Sequence, residues 1–273
     1  MASAGAGAGA DTSSSPSYAA ITVRAAAAAQ VFVDDPSRPV VGEDDAHHLG
    51  RVLRLRPGEE VIATDGRGHW ARALWQGDDS SQSLALSPVR DGAGVGGDGT
   101  VQFEPPAAPA LTVAFAPVKG ERPEWVVQKL TELGIDRIVP LVSERSVVRW
   151  SGTRGKATVE RLRRVAREAA AQCRRVWLPS VEDTLRFGDL PALGGPDEVV
   201  LAQLSGDRPN AAQHVVAVGP EGGWSTEELA AGLPTVGFGL SVLRAETAAV
   251  TAGALLASLR TGTVAAAGDG TEA

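Results

Sequence analysis

Two short segments of this chain have the residue types and spacing to hold a ligand. The first is Val218-Gly219-Pro220-Glu221-Gly222-Gly223-Trp224. The apolar run His214–Val218 before it reads as a buried strand. Ser225 after it, with Glu228 three residues on, reads as the capping box of a helix beginning near Thr226. In open α/β sheets ligands bind beyond the carboxyl ends of strands, and glycines there let a ligand come close to the backbone. The spacing is not the G-x-G-x-x-G of dinucleotide folds, and no Gly-Lys-Ser/Thr follows to make a phosphate loop. The second segment, Leu240-Ser241-Val242-Leu243-Arg244-Ala245-Glu246-Thr247-Ala248-Ala249, leaves a strand at Val236–Leu240 and enters a helix over Thr247–Leu259. Arg244 and Glu246 sit in the short connection between them. Taken singly, each segment also suits an ordinary turn or an ordinary helix start, with Glu246 near the positive helix end.

The elements that must position these segments alternate. Ala110–Ala116 is a strand with little polar alternation, the pattern of burial on both faces. Pro123–Leu133 is an amphipathic helix with Trp125, Val126, Leu130 and Leu133 near helical spacing, stopped by Gly134. Strands at Ile138–Val142 and Val199–Leu204 and a long basic helix at Thr158–Gln172 complete a parallel α/β pattern. The first half reads differently. Val31–Val33, Glu60–Thr64, His69–Trp75 and Ser83–Val89 are short strands, and Asp65-Gly66 is a hairpin turn signal. Asp44–Leu53 forms a short helix carrying His47, His48 and Arg51. Such strands suggest a small barrel, and Pro105–Pro109 is the linker out of it. Residues 91–100 are a Gly-rich loop.

Charge is uneven. The chain of 273 residues carries a net −7. Between Glu144 and Arg175, however, ten Lys and Arg face three Glu, an excess of seven, which leaves −14 for the remainder. That stretch is either a docking face for a polyanion or a solvated helix face. The single cysteine, Cys173, rules out an internal disulfide and a cysteine zinc site, and reads as a small buried thiol. The four histidines, His47, His48, His69 and His214, lack zinc spacing, so no metal is expected. No apolar run is long enough to span a membrane. Met1–Ala20 has no Lys or Arg and so lacks the charged region of a signal peptide. Residues 1–29 and 263–273 read as disordered tails, with order beginning near Gln30.

Taken together, G-P-E-G-G-W and L-x-x-x-L-R-x-E-T-A resemble the 16S ribosomal RNA uridine N3-methyltransferase family of the SPOUT clan. The resemblance extends to His48–Gly58 (HLGRVLRLRPG), Lys119-Gly120, Gln128-Lys129, Glu132-Leu133-Gly134, Ser143-Glu144-Arg145-Ser146, and the helix bearing Ala170, Gln172, Cys173 and Arg175. It covers Val31 to Leu259. Ala171 and Arg174 depart from the family pattern, which often has an acid and a glycine there. The resemblance implies an α/β fold: a PUA-like β-barrel over 30–104 and a SPOUT domain with a trefoil knot over 105–262. It also implies S-adenosyl-L-methionine as cofactor, bound by Leu201, Gly219, Glu221, Gly222, Gly223, Leu240, Val242, Leu243 and Thr247. The implied substrate is 16S ribosomal RNA within the small ribosomal subunit, and the implied protein is a cytoplasmic homodimer. Uracil N3 holds a proton, so catalysis needs its removal or stabilisation of the anion. Arg244 is the expected charge stabiliser, and Glu246 the expected proton acceptor or base-orienting group. His48, Arg51, Arg54, Arg145, Arg161, Arg164 and Arg175 are the expected RNA contacts. Two rival readings are a SPOUT tRNA ribose 2′-O-methyltransferase and a noncatalytic ribosome-assembly protein.

Overall fold

Prolines at 105, 106 and 109 keep that stretch out of any sheet ladder, and the chain on either side of it builds a sheet of its own. The computed structural model describes residues 18–77, 87–88, 100–150, 152–195 and 197–264. The loop expected at 91–100 apart from Thr100, most of the strand expected at 83–89, and both outermost tails lie outside the described residues.

The first sheet orders β1 (Ala29–Phe32), β2 (Glu60–Thr64), β3 (His69–Leu74) and β4 (Ser87–Pro88), with β5 (Gln102–Phe103) also on β3. β1 and β2 are parallel, and the β2–β3 hairpin is antiparallel. The hairpin turns where Asp65 Oδ1 accepts the amides of Arg67 (2.7 Å) and His69 (3.1 Å). Gly68 there has φ +93°, and a Cβ on it would collide with the Glu104 carbonyl oxygen, so only glycine fits. The connection from β1 to β2 holds α2 (Glu43–His47), which runs into a π-helical turn at His48–Val52. Leu49, Val61, Ala73 and Trp75 make the core of this half.

Order begins earlier than Gln30. Tyr18–Ala26 is a helix, α1. Arg24 holds it: the guanidinium is buried, donates to Glu104 (2.5 Å) and to the Arg174 carbonyl (3.3 Å), and lies 5.3 Å from the Trp70 ring centroid.

The second sheet is parallel throughout. Its order is β12 (Thr235–Val236), β10 (Val199–Asp207), β11 (Val215–Val218), β6 (Thr112–Phe115), β7 (Arg137–Val142) and β8 (Ser180–Val181), with β9 (Leu185–Arg186) on the end of β7. Both faces are covered, as the apolar strands require. On one face α3 (Arg122–Glu132), α4 (Gly152–Gln172) and α6 (Ala245–Arg260) pack on Val113, Phe115 and Ile138 through Leu130, Leu162 and Leu256. On the other, a 3-10 segment at Phe187–Leu193 and Trp224 cover Ala114, Val139 and Leu201. In α3 the buried stripe is Pro123, Val126, Val127, Leu130 and Thr131, which leaves Trp125 43% exposed rather than in the core. Among the described residues no helix is long and apolar enough to cross a membrane.

The C-terminal half of α4 joins the two sheets. Gln30 Nε2 donates to the Arg175 carbonyl (2.8 Å), and Arg167 donates to the Phe32 carbonyl (3.1 Å) with its guanidinium 4.7 Å from the Phe32 ring centroid.

Candidate functional site

A cavity of about 410 Å³ opens beyond the carboxyl ends of β10 and β11. Three backbone stretches frame it: Ala202–Leu204 on β10, the Gly219–Trp224 loop, and the run from Phe238 to Ala245. The second and third are the two segments singled out from the sequence. The loop is held from below. Ser225 Oγ accepts the Glu228 amide (3.2 Å), and the Glu228 carboxylate accepts the amides of Ser225 (2.9 Å) and, across the edge, Glu144 (2.8 Å). These bonds complete the capping box of the four-residue helix α5 (Thr226–Leu229). Trp224 is the pillar of the loop: it is buried, its indole N–H donates to the Ala202 carbonyl (3.0 Å), and its ring meets Phe187 at 5.5 Å. The sequence contained this tryptophan without suggesting that role. A Cβ on Gly219 would come within 3.0 Å of its ring, and Gly223 has φ +68°. Both glycines are therefore set by geometry, one by packing and one by backbone conformation.

The third wall is looser. The strand expected over Val236–Leu240 ends at Val236, because Gly237 already turns against β10: a Cβ on it would lie 2.8 Å from the Gly206 carbonyl oxygen. The chain then runs as an irregular segment to Arg244, which caps α6 without a side-chain bond. The helix starts at Ala245, two residues before the expected start.

The structure brings together most of the expected cofactor residues. Gly219, Glu221, Gly223, Val242 and Leu243 line the cavity, as does Arg244. The others do not line it. Leu201 is fully buried in the core beside Trp224, and the next three residues, Ala202, Gln203 and Leu204, line the cavity instead. Gly222 turns its carbonyl to Arg145 Nη1 (3.0 Å). Leu240 is wholly exposed, and Thr247 faces solvent on the first turn of α6. Glu246 points away from the cavity: its carboxylate meets Arg122 at 3.4 Å, and its Oε2 is buried with no hydrogen-bond partner.

The expected RNA contacts separate into groups. His48, Arg51 and Arg54 are exposed on the π-helical turn and just after it, with Arg54 at φ +57°. Arg145 and Arg164 are exposed, and Arg161 is ion-paired with Glu124. Arg175 is an internal strut. It donates to the carbonyls of Thr131 (3.1 Å) and Ile135 (2.7 Å) and to Asp136 (3.0 Å), and burial pulls its guanidinium pKa down. Both terminal nitrogens are engaged inside the fold, so this geometry does not offer it to RNA. Cys173 is half-buried, and burial pushes its thiol pKa up. Among the described residues no three of His, Cys, Asp or Glu gather as a metal site.

Comparison with known proteins gives consistent matches. The family model for the RNA methyltransferase domain matches residues 105–257, and that for the RNA methyltransferase PUA domain matches residues 41–74. Ribosomal RNA small subunit methyltransferase E of Mycobacterium bovis is 33% identical over 233 residues, 78% of this chain and 83% of that protein. A probable rRNA-methyltransferase from Porphyromonas gingivalis has a similar structure, with a TM-score of 0.68, 29% identity, and coverage of 86% of this chain and 100% of that one. A ribosomal RNA small subunit methyltransferase E from Neisseria gonorrhoeae, bound to S-adenosyl methionine, aligns with a TM-score of 0.70 over 85% of this chain and 97% of its own. At 23% identity that likeness is one of fold.

Proposed function

This chain belongs to the RNA methyltransferase family that includes ribosomal RNA small subunit methyltransferase E, and we propose on that basis that it methylates N3 of a uridine in 16S ribosomal RNA, with S-adenosylmethionine as donor. Residues 30–104 are the RNA-binding barrel and 105–262 the methyltransferase domain, a division that the two family matches support. A trefoil knot, in which the segment before α6 is threaded through the fold, is part of this reading. Its support is the family membership alone. So is a homodimer: exposed Leu240 and Val242 are apolar groups that a second copy would cover. The expected place of work is the cytoplasm.

The observation that carries the reading is the cavity itself. Its size is within the range of small-molecule sites. Leu204, Val242 and Phe238 offer apolar cover for a flat base, and two turns expose backbone groups for its polar edge. The donor residues therefore fit the cofactor. When bound, it supplies an electrophilic methyl group on a sulfonium, which needs no metal. The chain's part is to present a deprotonated base. Arg244, exposed at the cavity mouth, stabilises the negative charge that grows on uracil as N3 loses its proton. Glu246 is turned toward Arg122, so its role is to orient that arginine and the start of α6. The exposed His48, Arg51 and Arg54 on the barrel, with Arg145 and Arg164, guide the RNA.

The test is to incubate small subunits, extracted from a strain lacking this gene, with enzyme and labelled donor, and then to identify the nucleoside by mass spectrometry. N3-methyluridine is the expected product. A ribose-methylated nucleoside, or no label, would overturn the assignment. Arg244→Ala should lower kcat about 10²- to 10³-fold, as loss of a charge-stabilising donor does, with donor affinity close to wild type.

A further inference from the structure

The carboxyl edge of the second sheet holds another cavity, about 440 Å³ in volume, beyond β6 and β7. Lys119, Arg149, Arg154 and Arg161 line it, and no acidic side chain does. Glu124, just outside, pairs with Arg161. Among the described residues Lys119, Arg149 and Arg154 have no carboxylate partner. Three like charges around one hollow repel one another, and solvent screening only reduces that cost. An anion placed among them removes it.

The hollow is built rather than incidental. Arg149 is fixed by two backbone carbonyls, of Glu144 (2.8 Å) and Ser146 (3.3 Å), so its guanidinium is held in place before any ligand arrives. Gly155 lets the first turn of α4 sit down on Trp150: a Cβ there would lie 2.8 Å from the Trp150 carbonyl carbon. That close approach fixes Arg154 relative to Arg149. Lys119 precedes a tight turn at Gly120, which has φ +81°. Planar guanidinium forks and a mobile ammonium together suit the oxygens of a phosphate group.

Position gives the phosphate a context. The loop from Ser143 to Arg149 links the wall of the first cavity to the second. At one end the Glu144 amide bonds to Glu228 of α5 and Arg145 to Gly222 of the donor loop, and at the other Arg149 lines the cationic hollow. We propose that this hollow is a phosphate subsite that grips a backbone phosphodiester of the RNA next to the nucleotide presented to the methyl donor. The proposal rests on the RNA methyltransferase reading above. The sequence pointed to a basic region, but not to Lys119 as a member of it nor to the hollow that gathers these four residues.

The test uses the full chain with three variants: Lys119→Gln, Arg154→Gln, and Lys119→Arg as a charge-keeping control. Both residues are exposed and make no ion pair among the described residues, so folding should be unaffected. Binding of a labelled 16S ribosomal RNA fragment is measured across a salt series, and donor binding by calorimetry. Removing one cation that neutralises a phosphate should flatten the plot of log affinity against log salt by about 0.7 to 0.9, equivalent to about 5- to 8-fold in affinity at about 0.1 M salt. The Gln variants should show this, Lys119→Arg should keep the wild-type slope, and donor affinity should stay constant in all. Wild-type slopes and affinities in both Gln variants would overturn the subsite. Failure of the wild-type chain to bind the donor would instead overturn the methyltransferase reading, and the two failures are read from different measurements.

Discussion

Adjacent glycines in the donor loop give a sharp test, because one methyl group added at either position meets different physics. Gly222 lies outside the left-handed region of φ, and a Cβ there would touch only the Arg145 side chain at 3.5 Å, an ordinary contact. Gly223 has the opposite profile: nothing lies within 4 Å of its Cβ, but its φ is +68°. An L-residue in that left-handed region costs roughly 1–2 kcal/mol. Gly222→Ala should therefore leave donor binding close to wild type. Gly223→Ala should cost roughly that 1–2 kcal/mol in stability where the loop is held, or about 5- to 30-fold in donor affinity where the loop relaxes in the free protein, since about 1.4 kcal/mol is tenfold in affinity. Asparagine tolerates the left-handed region better than alanine, so Gly223→Asn should fall between.

Calorimetric titration with S-adenosylmethionine reads the affinities, and thermal unfolding separates two routes to a loss. If the loop relaxes to an unstrained shape in the free protein, Tm barely moves and the whole cost appears in binding. If the capping box and Trp224 hold the loop rigid, Tm falls and binding changes little. Equal behaviour of Gly222→Ala and Gly223→Ala in both measurements would refute the claim that backbone conformation at Gly223 shapes the site.

Three further outcomes are expected. Asp136 accepts from Arg175 (3.0 Å), Arg260 (2.5 Å) and the Leu111 amide (2.9 Å), so Asp136→Ala strands two largely buried guanidiniums and should cost about 3–5 kcal/mol. A denaturant midpoint implying less than about 1 kcal/mol would contradict that reading of the strut. Cys173 has its thiol pKa raised by burial, so less of it is thiolate at a given pH, and iodoacetamide at pH 8 should alkylate it more slowly than a free cysteine, with the rate still climbing at higher pH. Alkylation as fast as that of a free thiol would show that the site is open. Glu246→Gln and Arg122→Gln should each lower kcat/KM, combine less than additively in the double variant, and preserve the shape of the pH profile. Loss of the acidic limb in Glu246→Gln alone would restore Glu246 as the proton acceptor.

What was legible in the sequence was local. The β2–β3 hairpin, the fully buried β11 and the Ser225 capping box follow from turn chemistry, apolar runs and a three-residue spacing. What was not legible depends on partners far along the chain. α1 looks like an alanine-rich tail until Arg24 finds Glu104, eighty residues on. β12 stops at Val236 because Gly206 and Gly237 bring two backbones together, which no local pattern announces. Leu201 and Ala202 are neighbours in one strand, so the pleat sends their side chains to opposite faces, Leu201 into the core beside Trp224 and Ala202 against the helix-covered core where it borders the cavity. The sequence named Leu201 as the cofactor contact of this strand, and no local pattern distinguishes it from Ala202.

The basic stretch from Glu144 to Arg175 shows why charge had to be resolved residue by residue. Two readings were open, a face for a polyanion and a solvated helix face, and the structure divides the stretch along its length. Toward the C-terminus of α4, Arg163 donates to the Val181 carbonyl, Arg167 to that of Phe32, Arg174 to those of Ala27 and Ala28, and Arg175 to those of Thr131 and Ile135. These arginines fix sheets and helices to one another, and their hydrogen bonds are largely committed to the protein itself. Toward the N-terminus, Arg145, Arg149 and Arg154 are exposed beside the carboxyl edge of the sheet. A helix of twenty-one residues spans about 30 Å, so its two ends lie in different environments. One end ties the first sheet to the second, while the other lies beside Arg149 and Arg154, cations without a carboxylate partner among the described residues. The two sheets and the cationic hollow are thus joined through one helix, and RNA gripped in the proposed subsite would be positioned relative to both sheets.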